Sequence, residues 1–207
     1  MAIIGIERLV YGVENVEESA RFFTDFGLRR LDDGACDVEF SLVNGARVTV
    51  LPLGHSSLPK GDAIVGQGVK EVVWGVDRHA SLEALLSSLR EVVDVDWDGE
   101  TARFVAPFGV PMALRQWTPR PFACVPDQAN APGRIERLNR PRRWRLGAMP
   151  RLITHVVFAV PNYDSVYQFM VDVLDFRLTD RQNGFGNYLR ADGTNNHHNI
   201  LLLNANA

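Results

Sequence analysis

One pentad recurs three times along the chain: Leu9-Val10-Tyr11-Gly12-Val13, Val72-Val73-Trp74-Gly75-Val76 and Val156-Val157-Phe158-Ala159-Val160. Each reads apolar, apolar, aromatic, small, valine. Such β-branched and aromatic runs predict buried strands, and their recurrence predicts a fold made by repeating one supersecondary unit. A segment of helical periodicity follows each copy after a short polar connection. In the third it is Val166, Phe169, Met170, Val173 and Leu174; in the second Leu82, Leu85, Leu86 and Leu89; in the first Val16, Ala20 and Phe23. Hairpin signals come next. In the first copy Asn44-Gly45, between 37–43 and 46–51, suits a tight type I′ turn, and the third repeats the pattern around Ala191-Asp192-Gly193. The expected fold is α+β, with repeated βαβββ modules forming curved mixed sheets and the helices outside.

With 207 residues the chain exceeds one typical domain. The first two copies, residues 1–117, can pair into one curved sheet around a cavity and so complete an N-terminal domain. The third copy, 151–207, begins a second domain. Between them 118–150 holds six prolines and many arginines, with only Asp127 and Glu136 in opposition, a composition expected of a linker.

Composition excludes several classes. With 46% apolar and 23% charged residues, the chain can bury a core and is not a disordered segment. Its apolar stretches are strand-sized and broken by charges, and the N-terminal run meets Glu7 and Arg8 too early for a signal peptide. No membrane partner and a cytoplasmic location are therefore expected. Cys36 and Cys124 are too few for a disulfide framework and lack the CxxC spacing of a zinc site, so they read as reduced and structural. The arginines of 134–145 with Trp144 are residue types that contact phosphates and stack bases. Arginine outnumbers lysine twenty to two throughout the chain, however, and the net charge is −3, so no nucleic-acid partner is expected.

Aligning the pentads puts Arg8, Glu71 and His155 at one equivalent position, and only the third copy offers an imidazole there. Strand alternation gives His155 the face of Val157 and Ala159, where small side chains leave room. An imidazole on a strand is a suitable ligand for a divalent transition metal. A hydrogen-bonded core histidine is the simpler account from the residues alone, because one histidine does not make a metal site. A second cluster, Asn195-Asn196-His197-His198-Asn199, leads into Ile200-Leu201-Leu202-Leu203. Adjacent strand residues face opposite ways, so only one of the two histidines can share a cavity with His155. That histidine could ligate a metal or serve as an acid or base.

The third copy, HVVFAVPNYDSVYQFMVDVLDFRLTD with YLRADGTNNHHNILLL, resembles the catalytic domain of type I extradiol ring-cleavage dioxygenases of the 2,3-dihydroxybiphenyl dioxygenase group. These belong to the vicinal oxygen chelate (glyoxalase/bleomycin resistance/dioxygenase) superfamily. The resemblance implies that His155 is a metal ligand, that His198 is the acid/base beside the metal, and that His197 is only a neighbour. It implies Fe(II), or alternatively Mn(II), with a catechol-type diol and O2 as substrates. It also implies a non-catalytic N-terminal domain, consistent with Arg8, Glu71 and Ala113 at drifted ligand positions. In the family a second histidine and a glutamate come from a fourth module. By the spacing of the N-terminal half, three modules of an expected four are present, and the chain reads as incomplete. Asp164, Asp180 and Asp192 have no support as substitute ligands. An exposed sheet face in the third module would favour a homo-oligomer. The alternatives are a metal-free small-molecule-binding or resistance-type protein and, behind it, a glyoxalase-like isomerase.

Overall fold

The computed structural model describes residues 2–31, 37–61, 64–123, 130–131, 134–135, 147 and 149–206. Cys36, Cys124, Trp144 and the arginine side chains of 134–145 lie outside them. The order strand, helix, three strands occurs three times among the described residues. The first run is β1 (Ile3–Val13), α1 (Val16–Asp25), β2 (Arg29–Leu31), β3 (Val38–Ser41) and β4 (Arg47–Pro52). The second is β5 (Gly68–Val76), α2 (His79–Arg90), β6 (Val95–Trp97), β7 (Thr101–Val105) and β8 (Pro111–Gln116). A short antiparallel pair, β9 (Asn130–Ala131) and β10 (Arg134–Ile135), precedes the third run. That run is β11 (Val156–Val160), α3 (Tyr163–Asp172), β12 (Arg177–Gln182), β13 (Gly186–Arg190) and β14 (Ile200–Asn204). All three pentads end at a strand end.

The first two runs share an eight-stranded sheet in the order β2-β3-β4-β1-β5-β8-β7-β6. Its centre is the antiparallel pairing of β1 with β5, flanked by the parallel pairs β1–β4 and β5–β8. The third run forms its own sheet, β11-β14-β13-β12. This repeats the strand order of each half of the larger sheet, so one local grammar writes both.

Each helix forms where apolar spacing supplies a buried stripe. Leu82, Leu85, Leu86 and Leu89 are all buried in α2, and Val166, Phe169 and Met170 in α3. In α1, Asn15 Oδ1 accepts a hydrogen bond from Glu18 N at 3.0 Å, and Glu17 and Glu18 favour the positive end of the helix dipole. α1 packs with β3 and β4 in a core around Phe40, Val48 and Val50.

The second core runs through both sheets. Stripes from α2 and α3 meet residues of β5, β7, β8, β11 and β14 in one cluster. Trp74 of β5 and Phe176 pack edge to face with centroids 5.0 Å apart, and Phe108 touches both Phe158 and Phe169. The third run therefore buries its helical side against the second and leaves its other sheet face outward.

The Asn44-Gly45 turn differs from the expected type I′ geometry. Leu42 N donates to Ala46 O at 2.8 Å around a three-residue loop, and Gly45 has a φ of +87° while Asn44 keeps a negative one. The reason is local: Asn44 Oδ1 accepts from Ala46 N at 3.0 Å, which keeps Asn44 at a negative φ and leaves Gly45 alone to supply the left-handed step. In the third run Thr194 N donates to Ala191 O at 3.1 Å and closes a tight turn over Asp192-Gly193, but β14 begins only at Ile200, so that turn does not join the two strands by itself. Among the described residues no helix is long and apolar enough to cross a membrane.

Candidate functional site

Register places the histidines. β11 runs parallel to β14 with Val156 opposite Ile200 and Val157 opposite Leu201, and β14 runs antiparallel to β13 with Leu201 opposite Tyr188. Side chains in lateral register share a face, so Val157, Leu201 and Tyr188 form one row on the side away from α3. Val156, Ile200 and Leu189 form the row packed into the core. His155 stands one residue before β11 and is exposed with Val157 and Ala159, the face that alternation predicts.

His198 sits at the entry to β14, half-buried. Its ring centroid is 4.5 Å from that of His155, with the planes tilted by 47°. Tyr188 lies edge-on to His198 at 5.3 Å and to His197 at 5.8 Å. His197 is exposed, yet its Nδ1 lies 3.0 Å from His198 Nδ1. Two Nδ1 atoms at that distance need one proton between them, so the rings are coupled in tautomer. Burial lowers the His198 pKa first, and the charges of His155 and His197 lower it further. The neutral imidazole is thereby favoured.

Asn199 anchors this arrangement and was not singled out by its sequence pattern. It and Ile200 are both fully buried, which breaks strict alternation. The Asn199 amide turns inward, where Oδ1 accepts from Ala191 N at 3.0 Å and from Thr194 Oγ1 at 2.7 Å. Its Nδ2 donates to Thr154 O at 2.9 Å. One side chain thus ties the residue before His155 to the residue after His198. Thr154 Oγ1 is in turn 3.2 Å from His155 Nδ1. Tyr188 was also missed; its only sequence signal is its alternation with the buried Asn187 and Leu189 in β13.

The nearby carboxylates are otherwise engaged. Asp192 pairs with Arg177, Asp164 Oδ1 accepts from Asn187 Nδ2 at 3.5 Å, and Asp180 Oδ1 accepts from Arg181 N at 2.8 Å. Among the described residues no three His, Cys, Asp or Glu side chains are grouped to hold a metal ion. The donor set on this sheet is therefore short of a facial triad. At the equivalent positions of the larger sheet, Arg8 pairs with Glu7 and Glu39, Glu71 lies near Arg103, and Ala113 is buried in β8.

No protein-family model and no curated protein matches the sequence. Solved structures do. The Mn(II)-bound glyoxalase from Novosphingobium aromaticivorans superposes with a TM-score of 0.73 at 19% identity, over 98% of this chain and 62% of that one. The 2,3-dioxygenase LapB from Pseudomonas sp. KL28 gives 0.66 at 18% identity, over 98% and 70%. An extradiol ring-cleaving dioxygenase from B. fuscum gives 0.67 at 13% identity, over 97% and 53%. The chain spans less than two thirds of the glyoxalase and of the B. fuscum enzyme. With two curved sheets of this strand order and these neighbours, the protein has the vicinal oxygen chelate fold and resembles the extradiol dioxygenases in that fold.

Proposed function

We propose that this chain carries part of an extradiol-type ring-cleavage dioxygenase acting on a catechol-type diol with Fe(II) and O2. The observation that carries the reading is the 4.5 Å approach of His155 and His198 on the outward face of β11 and β14. His155 would be one metal ligand, and His198, held neutral, would take a proton from the diol and return it. Fe(II) is a suitable ion because a two-histidine, one-carboxylate set keeps positions open for diol and dioxygen. Of those three ligands the described residues would supply His155. The other two would come from outside the described residues, in a further module of a longer product or in a second copy of the chain. The likeness to a Mn(II)-bound glyoxalase puts Mn(II) beside Fe(II) as the metal to test.

The test is anaerobic reconstitution with Fe(II) of the longest product of the gene that encodes this sequence, followed by O2 and a panel of catechols. About one Fe(II) per chain and a coloured ring-fission product support the reading. A metal-replete protein inert toward every catechol overturns it. A metal-free small-molecule-binding protein is the second reading, favoured by the lack of a three-ligand group among the described residues. It predicts that reconstitution leaves no metal bound.

A further inference from the structure

The eight-stranded sheet holds a cavity of about 220 Å³ whose wall is unusual in charge. A register shift between Ile6 and Arg8 interrupts the alternation of β1, and Glu7 and Arg8 both line the cavity. Glu71 reaches it from β5 and Thr49 from β4. Glu7 is only 4% exposed and Glu71 only 5%. Glu7 Oε2, Glu71 Oε1 and Thr49 Oγ1 are all buried without a hydrogen-bond partner. Three polar atoms in that condition around one cavity carry a large desolvation cost unless something donates to them.

The cavity's arginines do not meet that need. Arg8 Nη1 reaches Glu39 at 3.5 Å, Arg103 Nη1 binds Asp98 at 2.6 Å, and Arg115 pairs with Glu100. Their remaining approaches to the buried carboxylates, 3.6 Å from Arg8 Nε to Glu7 and 3.8 Å from Arg103 Nε to Glu71, exceed hydrogen-bond length. Asp98 and Glu100 thus take up Arg103 and Arg115, Arg8 lies about equally far from Glu39 and Glu7, and Glu7 Oε2 and Glu71 Oε1 are left short of donors. Val10, Leu51 and Val73 supply an apolar wall beside them. A divalent metal is disfavoured, because no three ligating side chains converge among the described residues.

We propose that this cavity binds a small organic cation bearing several N–H donors, an alkylammonium or amidinium. Its head group donates to Glu7 Oε2 and Glu71 Oε1, and its hydrocarbon part lies against Val10, Leu51 and Val73. The site is independent of the metal reading, since it belongs to the larger sheet and His155 to the smaller. The non-catalytic half of the chain thereby acquires a ligand of its own.

The probe is n-butylammonium chloride, with equimolar KCl and the neutral isostere n-butanol as controls. At 10 mM it should raise Tm by about 3 °C for a millimolar Kd, and neither control should do so. By calorimetric titration, Glu7→Gln and Glu71→Gln should each weaken binding by about tenfold or more. Hydrogen exchange on the unmodified protein gives a reading that does not depend on whether the variants fold: butylammonium should protect β1 and β5 around Glu7 and Glu71. A shift matched by KCl or butanol overturns the proposal. So does undiminished binding in the folded variants, or protection confined to β11–β14.

Discussion

Asn199 Nδ2 donates to the Thr154 carbonyl at 2.9 Å and, beside the backbone bond from Val156 N to Asn199 O at 3.0 Å, fixes how the strands next to His155 and His198 start together. Asn199→Ala would remove that donor and also leave Ala191 N without its acceptor, while Thr194 Oγ1 would keep only the Ala191 carbonyl at 3.1 Å. The expected cost is about 2–3 kcal/mol, or a fall in Tm of roughly 5–10 °C for a chain of this size. Thermal unfolding followed by circular dichroism checks it. An unchanged Tm would show that water replaces the amide at no cost.

The two histidines should separate by role. In the metal-loaded protein, His155→Ala should lose the metal, whereas His198→Ala should retain it and lose turnover by about 10²-fold or more. Metal content by atomic emission beside the ring-fission rate distinguishes the two. Loss of metal in His198→Ala would reverse the assignment.

The shared core should make the two sheets unfold as one cooperative unit. Phe176 is 2% exposed and packs on Trp74 across the boundary between the second and third runs. Phe176→Ala should cost about 3–5 kcal/mol, and the unmodified protein should melt in a single transition. Two separate transitions in differential scanning calorimetry would contradict a continuous core.

Two carboxylates give opposite pH signatures. Hydrogen bonds from Arg103 and from the backbone N–H groups of Thr101 and Glu100 hold the exposed Asp98 carboxyl down at about 2. The stability it contributes is therefore present above its unfolded pKa of about 3.9 and lost as pH falls toward 2. Burial pushes the Glu71 carboxyl up; Arg103 and Arg8 pull it down, and Glu7 adds to the rise. Its contribution is greatest below the unfolded pKa of about 4.3 and is lost as pH rises through the folded value. Glu71→Gln should remove that loss and raise Tm at neutral pH relative to the unmodified protein, while Asp98→Asn should lower Tm most above about pH 4 and progressively less below it. Tm measured from pH 3 to 8 tests both signs.

Much of this architecture was legible in the sequence because it is periodic. The pentads located β1, β5 and β11, and the leucine and phenylalanine spacings located α2 and α3, since burial of one face writes a repeating pattern. The exposure of His155 with Val157 followed from alternation. The expected division of His197 and His198 between opposite faces did not, since both rings lie against Tyr188 and their Nδ1 atoms are 3.0 Å apart. What escaped was aperiodic. Asn199 turns inward where alternation would send it outward, because its amide finds three partners far away in sequence. Glu7 reaches the cavity through a register shift that no residue type announces. Trp74 meets Phe176 only because two helix stripes choose each other, and amphipathic patterns do not name their partners. The Asn44 turn was misjudged because a side-chain acceptor outweighed a dipeptide preference.

The bend at Gly193 ties the histidine loop to the beginning of the chain. Gly193 N donates to Ile3 O at 3.0 Å, and a Cβ at Gly193 would fall 2.7 Å from Ile4 Cγ2. A strand thus awaits a loop synthesised long after it. The N-terminal half serves the third run as a mould, and a single added methyl at position 193 would lift the casting from it.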